Sequence, residues 1–86
     1  MWTIYVLQHE STGERYIGLT NDLDRRLREH NNHRQSSTNR IAGQWKLVYC
    51  EQYSDKRDAV QREQRLKHHG SAKHELWKRL AHSLGD

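Results

Sequence analysis

Two short runs near the start of the chain limit its architecture most. Trp2 to Gln8 is rich in β-branched and aromatic residues. After a polar stretch containing Ser11-Thr12-Gly13, a second run of the same character covers Arg15 to Leu19. Such a pair around a glycine-bearing loop predicts a β-hairpin. With the loop placed over Gln8 to Gly13, Leu7 faces Glu14 and Tyr5 falls opposite Tyr16, so two phenols share one face of the hairpin.

The rest of the chain supplies what covers such a hairpin. Asn21 can cap a helix, and Asp22 and Asp24 suit the positive end of its dipole, so a helix is predicted from about Asp22 to about Asn31. The stretch Asn31 to Gly43 is polar, lacks periodicity and reads as a surface loop. Trp45 to Tyr53 is a third strand. Ser54 or Asp55 can cap a second helix that carries Ala59, Val60, Glu63 and Leu66 at helical spacing and stops near Gly70. Ser71 can start a last helix, Ala72 to about Ser83, burying Leu76, Trp77 and Leu80. The order β-β-α-β-α-α predicts an α+β fold: a three-stranded antiparallel sheet flanked by helices.

Size restricts this to one domain over residues 1–86, since the chain has 86 residues, 33% of them hydrophobic and none of them Phe. A domain so small removes only about 60% of its unfolded-state surface from water, so the core is thin. No run approaches the roughly 18 apolar residues needed to cross a bilayer, and a cytoplasmic, membrane-free protein is expected. The single cysteine, Cys50, is expected as a buried reduced thiol. Fifteen Lys and Arg against eleven Asp and Glu give a formal charge of +4, which favours polyanionic partners, nucleic acid first.

Three features point toward chemistry. Glu63 lies along the apolar stripe of its predicted helix, where a carboxylate needs a cation. That cation is either a metal ion or a neighbour among Arg62, Arg65 and Lys67. Arg26 and His30 are four apart on one helix face, a guanidinium suited to grip phosphate and an imidazole suited to move a proton. Gly18 follows Tyr16 by two on the same strand face and would leave space for a ligand beside the phenols. Arg25, Arg28, Arg34, Arg40, Arg62 and Lys67 complete a basic set for nucleic-acid contact. The histidine pairs His30 with His33 and His68 with His69 make a weak zinc pattern. Glycine-rich phosphate loops and nucleophile elbows are absent from the sequence.

Ile4-Tyr5 and Tyr16-Ile17-Gly18, with the segment Leu19 to Asn31 and the later stretches Trp45 to Tyr49 and Ala59 to Glu63, resemble the GIY-YIG nuclease family, in its small single-domain form. The resemblance runs to about Gly70. It implies a Mg²⁺- or Mn²⁺-dependent endonuclease whose site comprises Tyr5, Tyr16, Arg26, His30 and Glu63, with Glu63 as the metal ligand and Tyr5 or His30 as the base. Thr3 stands where the first motif has glycine, and a late polar residue used by some members has no match after Glu63. The expected substrate is DNA, cut by structure or strandedness, with the protein a monomer or weak dimer that needs no obligate protein partner. The alternative is a binding module on the same fold without turnover.

Overall fold

The hairpin forms from the predicted runs, as β1, Trp2–His9, and β2, Arg15–Thr20, paired antiparallel. The structure is a computed structural model and describes residues 1–32 and 43–85. The hairpin register differs from expectation by two residues: Tyr5 pairs with Gly18, and Leu7 with Tyr16. The turn is tighter than expected, because Gln8 still pairs with Arg15 and the His9 amide donates to the Glu14 carbonyl at 2.8 Å. His9 Nδ1 accepts from the amides of Ser11 and Thr12, and Gly13 takes a φ of 74° to close the loop. A slip of two preserves the face each side chain occupies, so the phenols remain on one side.

The third strand, β3, is Trp45–Tyr53 and pairs antiparallel with the other edge of β1, giving the order β2-β1-β3. Its register shifts between Val6 and Leu7, which face Tyr49 and Leu47, so Val48 is the bulged residue. With a strand on each side and helices on both faces, β1 is buried from Thr3 to His9.

Helix α1, Leu23–Asn31, is capped by Asp22 instead of Asn21, the Asp22 carboxylate accepting from the Arg25 amide at 3.2 Å. Leu23 and Leu27, with Tyr16, pack on Tyr5, Leu7 and Trp45. The Asn31 amide ties this helix to the start of β3, accepting from Trp45 N at 2.7 Å and donating to Trp45 O at 3.0 Å.

The opposite face carries α2, Lys56–His68, capped by Asp55, then α3, Gly70–Arg79, and a short α4, Ala81–Leu84. Ala59, Leu66, Leu76, Leu80 and Leu84 meet Ile4, Val6 and Ile17 there. The single last helix expected over 72–83 is thus two, parted at Leu80, whose amide reaches both Leu76 O and Trp77 O. Trp77, expected in the core, is only partly buried against it. Cys50, expected buried, is exposed, because α1 shelters the other end of β3 around Trp45. Among the described residues no helix is long and apolar enough to cross a membrane.

Candidate active site

Tyr5 occupies the central strand and its ring lies across Gly18 on the neighbouring one. A Cβ on Gly18 would collide with the Tyr5 ring at Cζ and with its hydroxyl oxygen. The space that the glycine leaves is therefore filled by the phenol, whereas the sequence suggested room for a ligand. Across this face, α1 presents His30, the buried residue of that helix, with Nε2 3.0 Å from the Tyr5 hydroxyl. Tyr16 is half-buried and its ring meets the imidazole edge-on at 4.8 Å, with the Tyr5 ring 6.1 Å away.

Arg26 lies one turn before His30. Its Nη1 donates to Glu29 Oε1 at 2.9 Å, and its charge also acts on the Tyr5 phenol. Glu63 comes from α2 on the other side of the sheet, and its carboxylate is still near enough to influence Tyr5. The Glu63 carboxylate is 21% exposed and pairs with Lys67 Nζ at 3.1 Å. Of the cations considered from sequence, Lys67 is the one beside it. Tyr16, Arg26 and His30 thus gather around Tyr5, with Glu63 acting on it from the far side of the sheet.

The electrostatics of the group follow from burial. Burial raises Tyr5, Tyr16 and Glu63 add to it and Arg26 opposes it, leaving the phenol at about 12. Burial lowers His30 and the Arg26 charge lowers it further, against a partial lift from Glu29. At neutral pH the pair is therefore a protonated phenol beside a neutral imidazole. With its proton on Nδ1, the ring accepts the Tyr5 O–H at Nε2.

Among the described residues, no three His, Cys, Asp or Glu side chains group to hold a metal. His68 and His69 are exposed, and His33 lies outside the described residues. Glu63 is the carboxylate of this centre that acts on Tyr5. One protein carboxylate, completed by water and substrate phosphate oxygens, suits Mg²⁺, which keeps most of its hydration shell.

The remaining basic residues are dispersed. Arg25 is exposed and pairs loosely with Asp22 and Glu29, at 3.7 and 3.8 Å, and Arg28 is exposed. Arg62 turns inward and grips Glu51 with two hydrogen bonds of 2.9 Å. Arg34 and Arg40 lie outside the described residues. Glu29, which sequence reasoning passed over, holds Arg26 from three residues away, a spacing that brings side chains together on a helix.

Comparison with known proteins adds a family signal. The family described as "GIY-YIG catalytic domain" matches residues 1–76. UPF0213 protein CPE1444 of Clostridium perfringens is 42% identical over 60% of this chain and 56% of its own length. A UPF0213 protein of Bacillus pumilus is 40% identical over 73% of this chain and 63% of its own. UPF0213 protein YazA of Bacillus subtilis is 34% identical over 72% and 63%. The chain thus spans from 56% to 63% of the length of these curated relatives. No solved structure matches the chain.

Proposed function

The chain belongs to the GIY-YIG family, and from that premise we propose that it is a metal-dependent endonuclease that hydrolyses DNA phosphodiester bonds. The observation that carries this reading is the 3.0 Å contact between Tyr5 and His30 with Arg26, Tyr16 and Glu63 around it. A phenol at about 12 is a poor base alone. Coupled to a neutral imidazole, it takes a proton from the attacking water as it gives its own to His30 Nε2. The water oxygen then bonds to phosphorus and the leaving oxygen departs with the bond electrons. Arg26 meets the charge on the phosphoryl oxygens with paired N–H groups. Tyr16, edge-on to the imidazole, keeps it in line with Tyr5. A Mg²⁺ or Mn²⁺ held by Glu63 would supply polarisation of the scissile phosphate and stabilisation of the leaving oxygen.

In this reading the protein acts in the cytoplasm on strand- or structure-specific DNA, in repair, recombination or uptake, as a monomer or weak dimer. A second reading, nucleic-acid binding without turnover, draws on one observation: Lys67 already neutralises Glu63 at 3.1 Å. Labelled single-stranded, duplex and branched DNA, each incubated with Mg²⁺, Mn²⁺ or chelator, separates the two. Cutting with metal, lost in chelator and reduced at least about 10²-fold in Glu63→Ala and in Arg26→Ala, is expected. Binding without cutting on every substrate would leave the second reading in place. Cutting that persists in both variants would trace to a contaminant.

A further inference from the structure

Beside the reactive centre, at the β2 rim, lies a cavity of about 250 Å³ lined by Arg15, Tyr16, Ile17, Lys67, Lys73 and Trp77. Three of these six are cations and none is acidic. They come from three elements, Arg15 from β2, Lys67 from α2 and Lys73 from α3. A cavity walled by cations from separate elements suits an anionic ligand. Arg15 lies 5.1 Å above the Trp77 ring, so its planar fork is held in place by stacking.

Continuity with the centre identifies the anion. Tyr16 borders the cavity and also packs on His30, and Lys67 borders it while pairing with Glu63. A nucleic-acid strand held at Tyr5 and Arg26 would carry its flanking phosphates past Tyr16 and Lys67 toward this rim. A free metabolite would not need an opening bordered by Tyr16.

We propose that this cavity seats the phosphates flanking the cut, with Arg15 and Lys73 as strand contacts outside the reactive centre and the Trp77 indole as the floor. It rests on the reading that nucleic acid passes the Tyr5 centre. Arg15 and Lys73 stand outside the group formed by Tyr5, Tyr16, Arg26, His30 and Glu63.

The test is binding of a fluorescein-labelled single-stranded oligonucleotide, in chelator, over a salt series. Each lost phosphate contact lowers the steepness of log K against log salt by about 0.7 for single strands, so Arg15→Gln/Lys73→Gln should lose about 1.4. The charge-keeping Arg15→Lys/Lys73→Arg should retain the wild-type slope, which a merely structural role would not predict. Lys78→Gln, on the same helix but paired outward with Glu75, should also retain it. In cleavage the double Gln variant should raise KM and leave kcat near wild type.

Wild-type slope and KM in the double Gln variant, with the wild-type protein cutting DNA, would overturn the cavity's role and leave the nuclease reading intact. A reduced slope in the double Gln variant, with wild type binding but never cutting, would overturn the nuclease reading and keep the contacts. Equal loss in Lys78→Gln, or no binding by wild type, would overturn the proposal.

Discussion

Gly18 carries no reactive group, yet the placement of the Tyr5 ring depends on it. Its Cβ would overlap the Tyr5 ring and hydroxyl, so Gly18→Ala must move the phenol off β2 and away from His30. A displacement of about 1 Å costs on the order of 10²-fold in rate, and overpacking costs about 1–3 kcal/mol of stability. Cleavage rate and denaturant midpoint measured together check this; a variant that cuts at wild-type rate would show that Tyr5 need not lie there. The same pair sets the pH dependence. Burial and Arg26 lower His30 from its ordinary 6.5, so the imidazole stays neutral and able to accept a proton into mild acid. The acid limb of the kcat/KM profile should have its midpoint below 6.5, and His30→Gln should abolish that limb along with most of the rate. That Tyr5, Tyr16 and His30 come together on one side of the sheet was legible because they sit in two strand motifs and on one helix face. The role of Gly18 was not, since a register two residues off placed Tyr16 where Gly18 lies. Glu63 was legible as a carboxylate in need of a cation, but choosing Lys67 over Arg62 required knowing that Arg62 faces the sheet.

At the next scale, α2 is fastened to β3 through Glu51. Its carboxylate accepts from Arg62 Nε and Nη2 at 2.9 Å each, from Tyr49 at 2.7 Å and from Tyr53 at 2.8 Å. Burial pushes this carboxyl up, but the hydrogen bonds from Arg62, Tyr49 and Tyr53 outweigh it and hold it at about 2. The carboxylate is only 14% exposed, so the depression converts to roughly 3 kcal/mol at about 1.4 kcal/mol per unit. A depressed carboxylate stabilises above its unfolded value of 4.5 and loses that contribution as pH falls toward about 2. Glu51→Gln should therefore cost roughly 3 kcal/mol at pH 7, and the gap from wild type should close as urea midpoints are taken down through that acid range. An unchanged gap would mean that the tyrosines and Arg62 do not hold the ionised form. The helices themselves were legible from apolar spacing, with Asp55 one of two caps the sequence allowed for α2 and Asp22 standing one residue past the Asn21 expected for α1. The break at Leu80 was not legible in the helical spacing, and the exposure of Cys50 was not because it depends on which part of the sheet α1 covers.

The whole molecule is one thin sheet with a small apolar cluster on each side. Tyr5, Leu7 and Trp45 form one, while Ile4, Val6, Ile17 and the leucines of the last three helices form the other. Because successive residues of β1 feed alternate clusters, neither can melt without loosening the other, and unfolding should be two-state. Trp45 reports on the first cluster, and Trp2 and Trp77 on the second. In Trp45→Phe, and in Trp2→Phe/Trp77→Phe, the fluorescence midpoint should match that variant's own far-UV dichroism midpoint; separate midpoints would mean two independently melting halves. The α+β layout was legible because strand and helix periods separate cleanly along the chain. That the central strand would be β1, with β3 on its outer edge, was not, since local sequence does not encode strand order. This order places Tyr5 on the strand whose neighbours on every side must depart before it is uncovered. Its amide protons should be among the last to exchange with deuterated solvent. Warming that frays α4 or the chain ends should leave the proton relay in place, so catalytic competence should fade only with the final cooperative collapse of the fold.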